Sequence, residues 1–299
     1  MPELPYTTPS DSFASYSAWL ERQPLSVNSR RTYRARVKQY CDYLSSTPSE
    51  YGDPLSDPHA RDYAVRDCKI HLKTARRAKP SSVNLSLAAI DHFYGFLGLG
   101  RPDVRREDLP GAAPRALSPE EQKRFLRAVE RTPEARDRAI AKLLFYTALR
   151  LSECTGLDVE DAPISARKGK VIVRSGKGDA YREVSLNADA REALQSWLGE
   201  RRQRFPDVGE SALFLSRKGV RLSSRAVDLI VRDLGRRAGL ELSAHVLRHT
   251  CLTRLVRAGH DLVMVAEIAG HRRLETTRRY SLPSTADREA AMEALRVDY

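Results

Sequence analysis

The amino-acid sequence predicts a mainly α-helical protein with one small β-sheet, an α+β fold in two domains. Apolar residues recur at helical spacing in most segments of the 299-residue chain. Two short runs of β-forming residues flank a glycine-rich centre, and a stretch rich in glycine and proline interrupts the helical pattern near residue 100. At roughly 150 residues per domain, the length fits two domains.

The first third of the chain shows only helical periodicity. Residues 29–44 carry apolar side chains along one helical stripe, and residues 59–79 are predicted to form a helix with a basic end. Ser81 or Ser82 is expected to cap the next helix. Residues 1–105 are therefore predicted to form an all-α N-terminal domain.

A change in composition marks the boundary between the domains. Residues 106–116 contain Pro110 and Gly111 among charged residues without periodicity, which is typical of a linker. Ser118 is a favourable N-cap, and a proline follows it at the first helical position. Residues 117–299 are predicted to form the second domain.

The second domain is predicted to be helical apart from one β-hairpin. Residues 170–174 and 181–186 flank a glycine-rich centre that contains Lys177, which predicts a hairpin with this lysine at its tip. A short tail helix is expected over residues 286–295. The other predicted helices cover residues 138–150, 189–204, 223–238 and 244–258.

The charge of the chain favours a polyanionic partner. Lysine and arginine total 51 against 39 aspartate and glutamate residues, which gives a net charge of +12. An anionic membrane surface is the weaker interpretation, because the basic residues are spread along the chain rather than gathered on one amphipathic helix. No apolar run approaches the roughly 20 residues that span a bilayer. We therefore expect a nucleic-acid partner and no membrane association.

The cysteines and the N-terminus indicate a compartment. Cys41, Cys68, Cys154 and Cys251 are scattered without a Cys-x-x-Cys pair, which predicts neither a disulfide framework nor a four-cysteine zinc site. The N-terminus lacks the basic and then apolar pattern of an export signal. We expect reduced, buried thiols in a cytoplasmic, nucleoid-associated protein.

Histidine and arginine occur together in the last third of the chain. His245 and Arg248 share one face of a predicted helix, where both donate hydrogen bonds and arginine holds a phosphate through two donors. Zinc bound by His245 and His249 is one alternative, although valine follows His245 where a metalloprotease helix has glutamate. Such a site would take Cys251 or His271 as a further ligand. Purely structural histidines are another alternative. Phosphate binding is favoured because other segments support it.

These segments resemble those of the tyrosine recombinases. The boxes of that family occur here in the family's order and with similar separations over roughly residues 117–285, and five boxes in order are a specific match. The helices around Thr32 and Tyr33 are similar, more weakly, to the family's core-binding domain. Leu282 stands where many relatives carry a histidine two residues beyond the tyrosine. The matching segments are residues 147–153 with the first catalytic arginine, Lys177 in the hairpin, His245-x-x-Arg248-His249, Gly270-His271, and Tyr280 at the position of the nucleophile.

The resemblance implies a fold and a reaction. The N-terminal domain would be a core-binding domain and residues 117–299 a mixed catalytic domain of the tyrosine-recombinase type. DNA strands would be cleaved and rejoined through a 3′-phosphotyrosine bond, without a metal or any other cofactor. The resemblance also implies that Lys177 protonates the leaving 5′-oxygen. The expected catalytic residues are Arg150, Lys177, His245, Arg248, His271 and Tyr280, with Glu153 and His249 in supporting roles.

Charge explains why these residue types suit that reaction. Attack on a phosphodiester builds negative charge on the phosphate oxygens, which fixed cationic donors stabilise. Arg150 and Arg248 are expected to do this without holding the fold, provided that Glu153 does not pair with Arg150. An ordinary phenol has a pKa of about 10, so Tyr280 is a poor nucleophile while it is protonated. Its cationic neighbours are expected to favour the phenolate.

The resemblance and the charge together predict the partners. We expect double-stranded DNA with specific recombination sites, bound by a homo-oligomer, a tetramer on two sites, with the tail helix packed on a neighbour. One rival is a type IB topoisomerase-like enzyme that acts as a monomer, and another is a DNA-binding regulator without catalysis. Integration, excision, resolution and transposition all remain open as outcomes. The residues expected to bind DNA phosphates are Arg30, Arg31, Arg34, Lys73, Arg76, Arg77, Lys79, Arg278 and Arg279.

Overall fold

The chain divides into two compact units, Met1–Pro110 and Gly111–Tyr299. The prediction of a mainly helical protein with one small sheet is confirmed. No helix in the described part of the chain is both long and apolar enough to cross a membrane. The structure is a computed structural model, and it describes residues 8–47, 50–109, 114–174, 181–206, 209–282, 289 and 292–295.

The first unit packs its helices around an aromatic core. Tyr16, Phe93 and the pair Tyr40 and Tyr94 are buried there. The hydroxyl groups of Tyr40 and Tyr94 lie 2.6 Å apart, so that each buried polar group has a hydrogen-bond partner. The helices are α1 (Pro9–Leu20), α2 (Val27–Ser46), α3 (Pro58–Thr74) and α4 (Pro80–Phe96).

The helix predicted over residues 59–79 is shorter than expected. It ends at Thr74, and Arg77 takes the left-handed conformation with φ of 47°. Pro80 disfavours helical geometry in the residue before it, so Lys79 is extended and the helix cannot run through to this position. Arg76, Arg77 and Lys79 therefore lie in a loop rather than on a basic helix end.

The cap of α4 also differs from the prediction. Its N-cap is Lys79, without a side-chain hydrogen bond, and Pro80 occupies the first turn. Ser81 and Ser82 consequently lie inside the helix. Proline at the first position is compatible with helix geometry and moves the start of the helix towards the N-terminus.

The second unit has a larger aliphatic core. Its first helix begins at the predicted cap, where Ser118 and Glu121 form a reciprocal capping box. The Leu117 N–H donates to the Thr250 hydroxyl at 2.9 Å, which ties this start to a later helix. The helices are α5 (Pro119–Glu130), α6 (Ala135–Thr147), α7 (Leu151–Gly156), a 3₁₀ turn (Val159–Asp161), α8 (Ala188–Arg204), α9 (Ser224–Arg237), α10 (Ala244–Arg257), α11 (Leu262–Ala269) and α12 (Leu274–Arg278).

The predicted β-hairpin is present. Strands β1 (Lys170–Val173) and β2 (Arg182–Ser185) pair antiparallel, with Val173 opposite Arg182. Alternate residues of β2 face the core, so Arg182 is buried on the same side as Val184. Lys177 lies outside the described residues, as do residues 286–288, 290 and 291 of the tail helix predicted over residues 286–295.

Candidate active site

Four of the five boxes predicted from the sequence, all but that of Lys177, meet at one place in the second unit. Helix α6 ends at Thr147 rather than at residue 150, because Ala148 adopts the left-handed conformation with φ of 52°. This turn places Arg150 at the N-cap of α7. Arg248 projects from α10, and the Gly270-His271 segment follows α11. Three separate chain segments thereby surround one small region.

Arg248 is buried and donates hydrogen bonds to two of these segments. Its guanidinium donates to the carbonyl of Ala148, and its Nη2 donates to the carbonyl of Ala269 at 2.6 Å. Nη2 also lies 3.1 Å from Nε2 of His271. Arg248 is 4% exposed. Burial, with the Arg150 cation nearby, lowers the pKa of Arg248 to about 10, so the side chain stays charged at neutral pH.

Arg150 is held by Glu153 and by the backbone. Its Nη1 donates to Glu153 Oε1 at 2.6 Å, and its backbone N–H donates to Oε2 at 2.7 Å. Its Nη2 donates to the Gly270 carbonyl at 2.7 Å. The Arg150 side chain is 35% exposed, whereas that of Glu153 is 2% exposed. The Arg150 side chain is thus partly open to solvent on a rigid support.

The expectation that both arginines act without holding the fold was conditional, and the structure shows contacts that both arginines make within the fold. The proviso on Glu153 applies, because Glu153 pairs with Arg150. Arg248 is structural for a different reason, since two buried backbone carbonyls accept its hydrogen bonds. The end of α6 and the end of α11 both leave carbonyls without helical partners, and a buried arginine fork satisfies them.

Arg182 is a site residue that the sequence analysis missed. It donates to both carboxylate oxygens of Glu153, from Nη1 at 3.1 Å and from Nη2 at 2.6 Å. Its Nε donates to the carbonyl of Ile268 at 3.0 Å. A signal was present, because strand alternation places position 182 on the buried face with Val184. An arginine at such a position requires an anionic partner.

His271 is oriented by two neighbours. Since arginine can only donate, Nε2 of His271 accepts from Arg248, and Nδ1 then carries the proton and donates to the Thr277 hydroxyl at 2.8 Å. Burial, together with the cations of Arg248 and Arg150, lowers the pKa of His271 to about 4. The ring is therefore neutral at neutral pH. It stacks on the ring of Tyr280 with an interplanar angle of 10°.

Tyr280 follows α12 and is buried at 6% exposure in a small apolar cluster with Ala148 and Leu252. Its hydroxyl lies 2.7 Å from Nδ1 of His249. Burial raises the pKa of Tyr280, and the cations of Arg248 and Arg279 offset this only in part. The cationic neighbours therefore act in the expected direction, but desolvation outweighs their effect, so Tyr280 stays protonated in the protein alone.

The remaining predicted site residues lie nearby or elsewhere. The ring of His245 meets that of His249 edge-on, with centroids 4.0 Å apart, and His245 is solvent-exposed. Arg278 ends α12 and is exposed, as is Arg279. All four cysteines are free and buried, as expected. Within the described ranges, no group of three or more histidine, cysteine, aspartate or glutamate side chains is arranged to hold a metal ion.

The predicted DNA-binding residues of the first unit differ in their surroundings. Arg30 and Arg34 of α2 pair with Glu21. Lys73 pairs with Glu107 at 2.9 Å. Arg31, Arg76, Arg77 and Lys79 are exposed, and the described part of the chain shows no ion pair for any of them.

The fold and this cluster define a DNA-transesterase site of the tyrosine-recombinase class. The model of the phage integrase family matches residues 115–286. A tyrosine recombinase XerC from Actinobacillus pleuropneumoniae is 30% identical, with 85% of this chain and 91% of the relative covered. XerA from Pyrococcus furiosus is 27% identical, with 96% of this chain and 94% of the relative covered. The chain therefore belongs to the phage integrase family and is a tyrosine recombinase.

Solved structures show the same fold. The XerH recombinase bound to its difH substrate superposes with a TM-score of 0.72 at 23% identity, covering 94% of this chain and 85% of that one. A λ integrase dimer bound to a core site superposes with a TM-score of 0.69 at 14% identity, covering 97% of this chain and 98% of the other. At these identities the likeness concerns the fold.

Proposed function

We propose that this protein is a site-specific DNA recombinase that cleaves and rejoins strands through a 3′-phosphotyrosine bond at Tyr280. One observation carries the proposal. Two arginines from different segments, Arg150 and Arg248, lie with His271 and a buried tyrosine in one site. Arg248 contacts His271, whose ring stacks on that of Tyr280, and Arg150 donates to the carbonyl of the neighbouring Gly270, so both charges lie beside the hydroxyl proposed to attack a phosphate.

The arginines take different parts in the proposed reaction. The partly exposed guanidinium of Arg150 is available to a phosphate oxygen, while Glu153 and Gly270 fix its direction. Arg248 adds a second charge from a buried position. Donors held in place before the reaction stabilise the charge that develops in the transition state, and each is typically worth about 2.7–4 kcal/mol of the barrier. His245 and His271 are proposed as further donors to the phosphate, which for His271 requires that Nε2 gain a proton and exchange its contact with Arg248 for a phosphate oxygen.

The leaving group needs a proton. The resemblance assigns this task to Lys177, and the described strands Lys170–Val173 and Arg182–Ser185 support a hairpin that carries it. Arg182 anchors the base of that hairpin to Glu153 and Ile268 in the site. We propose that Lys177 protonates the 5′-oxygen. The hairpin would then place Lys177, as the acid, beside the same phosphate that Arg150 is proposed to contact.

We further propose that residues 1–105 bind the DNA core site and that 106–116 link them to the catalytic residues 117–299. The exposed residues Arg31, Arg76 and Arg77 are suited to phosphate contacts. Known structures of the same fold include recombinases bound to DNA, one of them a dimer. A tetramer on two DNA sites and association with the nucleoid complete the proposal.

Covalent trapping tests the proposal. Full-length protein is incubated with nicked duplexes made from candidate sites near its gene, and denatured products are examined for protein attached to DNA. We expect an adduct mapped to Tyr280, unaffected by EDTA. Tyr280→Phe should bind the same DNA without forming an adduct. Tyr146→Phe is a matched control, because it removes a hydroxyl that donates to Asp189 instead, and it should still form the adduct.

The other outcomes point to different functions. An adduct in Tyr280→Phe would move the nucleophile elsewhere, and loss of cleavage on chelation with recovery on adding zinc would restore the zinc alternative at His245 and His249. Paired sites on one plasmid distinguish the activities. Exchanged sites are expected, whereas relaxed plasmid without exchange would indicate a topoisomerase.

A further inference from the structure

We infer that His249 is the base that takes the proton of Tyr280 when the tyrosine attacks DNA, and the acid that returns it when the strands rejoin. The inference rests on the proposed function and assigns a catalytic role to a residue expected only to support the site.

Geometry selects His249. Its Nδ1 lies 2.7 Å from the hydroxyl oxygen of Tyr280, within the range of a strong hydrogen bond between a hydroxyl and a ring nitrogen. Their ring centroids are 5.4 Å apart. Tyr280 is buried among Cys251, Leu252 and Val265, so bulk water has little access to its hydroxyl. The base must therefore come from the protein, and a nitrogen is already in contact with the proton to be removed.

The other histidines of the site are less well placed. Both ring nitrogens of His271 are engaged, Nε2 with Arg248 and Nδ1 with Thr277, which leaves no free acceptor. His245 contacts the ring of His249 edge-on and makes no described hydrogen bond to Tyr280. Among the histidines that the structure describes, His249 is the one whose ring nitrogen is hydrogen-bonded to the Tyr280 hydroxyl.

The protonation states of Tyr280 and His249 are those that a proton transfer from the tyrosine to the histidine requires. His249 faces Tyr280, and burial together with the charges of His245, Arg248, Arg279 and His271 lowers the pKa of His249 to about 4. The ring is therefore neutral at neutral pH. Burial raises the pKa of Tyr280, so the hydroxyl keeps its proton. A protonated phenol donates and the Nδ1 of a neutral imidazole accepts, with the ring proton on Nε2.

The step balances without a further reactant. As the Tyr280 oxygen bonds to phosphorus, its proton passes to Nδ1 of His249 and the bond from phosphorus to the 5′-oxygen breaks. The leaving oxygen takes a proton from its own acid, proposed as Lys177. In rejoining, the 5′-hydroxyl attacks phosphorus and returns its proton to Lys177, the bond from phosphorus to the Tyr280 oxygen breaks, and His249 returns its proton to that oxygen. The same residue thus serves as base and then as acid.

The experiment measures single-turnover formation of the covalent complex by the full-length protein on the nicked site recovered by trapping. The variants are His249→Gln and His249→Ala. Glutamine keeps a similar volume and an oxygen that accepts a hydrogen bond, but it cannot take up the proton of the tyrosine. His260→Ala is the matched control, because His260 is exposed and lies outside the site, and it should match wild type. Non-covalent DNA binding shows that each variant is folded.

We expect both His249 variants to cleave at least about 100-fold more slowly at neutral pH, within the usual contribution of a general base. The wild-type rate should be flat from about pH 5.5 to about pH 8, since the base form of His249 is already present. The variant rates should rise about tenfold per pH unit, because only ionised phenol then attacks.

Other results have distinct meanings. Wild-type rate in His249→Gln, or a slower rate with the flat wild-type pH profile, would overturn the assignment and leave His249 a structural neighbour of the tyrosine. Failure of the wild-type protein to form any adduct at Tyr280 would overturn the proposed function itself. The two failures are therefore separable.

Discussion

Arg182 holds Glu153 through both carboxylate oxygens, and Glu153 in turn holds Arg150. Neither Arg182 nor Glu153 is open to solvent, with side chains 9% and 2% exposed. The pair joins strand β2 to helix α7. The Nε of Arg182 also donates to the carbonyl of Ile268, which connects the end of α11 to the pair. A buried ion pair therefore sets the direction of the arginine proposed to meet the phosphate.

Removing the carboxylate charge should destabilise the second unit. Glu153→Gln leaves two buried or half-buried guanidinium groups without their anion, and breaking such a pair typically costs about 3–5 kcal/mol. We expect a loss of this order in the free energy of unfolding measured with denaturant. Glu183→Gln is the matched control, because Glu183 pairs with Lys170 on the exposed face of β2, and it should change little.

The same carboxylate should give the protein an acid-dependent stability. Burial alone would raise the pKa of Glu153, but hydrogen bonds from Arg182 and Arg150 lower it from 4.5 to about 2. A pKa lowered in the folded state adds stability that is fully present above the unfolded value and is lost as pH falls from about 4.5 towards about 2. Unfolding measured over this window should show a smaller pH dependence in Glu153→Gln. An unchanged slope would mean that Glu153 is already protonated or unpaired.

Arg248→Ala should impair both folding and cleavage. The substitution leaves the carbonyls of Ala148 and Ala269 without their buried donor, and we expect a loss of about 2–5 kcal/mol in stability. Arg150→Ala should lose less stability, because its side chain is 35% exposed, yet lose cleavage by orders of magnitude. A neutral methylphosphonate at the cleavage site should partly restore cleavage by Arg150→Ala. Absence of rescue with a large loss of stability would indicate a structural role alone.

Gly270→Ala tests how tightly the site is packed. Gly270 has φ of 62°, and an added Cβ would lie 2.8 Å from Nη1 of Arg182 and 3.3 Å from Nη1 of Arg150. Gly259→Ala is the matched control, because Gly259 has φ of 82° with no atom within 4 Å of the added Cβ. In both variants, backbone strain should lower the free energy of unfolding by about 1–2 kcal/mol. Only Gly270→Ala should also slow adduct formation, and equal cleavage by the two variants would contradict this packing.

The loop between α3 and α4 should govern the salt dependence of DNA binding. The triple substitution of Arg76, Arg77 and Lys79 by alanine removes three exposed charges. If all three contact phosphates, the slope of log K against log salt should become shallower by up to about 2.7, at roughly 0.9 per contact. Alanine at Arg124 and Arg127 of α5 and at Arg131, its C-cap, removes the same charge from exposed positions and should change the slope less. Equal effects would indicate a general charge effect.

Local patterns were sufficient for much of the fold. Helical periodicity predicted most helices, and β-forming runs around glycines predicted the hairpin. Errors occurred where a backbone turn competed with the pattern. Helix α6 stops at the left-handed Ala148, and the residue before Pro80 cannot be helical. Apolar spacing continues through both places, so periodicity alone could not mark them.

The sequence by itself determined the residue types and order of the site, because arginine, histidine and tyrosine occur in recognisable boxes along the chain. Only the tertiary structure decided their partners. Arg182 contacts Glu153, which lies 29 residues away in the sequence, and His249 contacts Tyr280, which lies 31 residues away. Which group holds a proton depends on such contacts, since burial and neighbouring charges set each pKa and both arise from residues distant in the chain. For that reason the sequence indicated only that cations would favour the phenolate of Tyr280, whereas in the folded protein burial outweighs those cations and the protonated tyrosine contacts a neutral histidine.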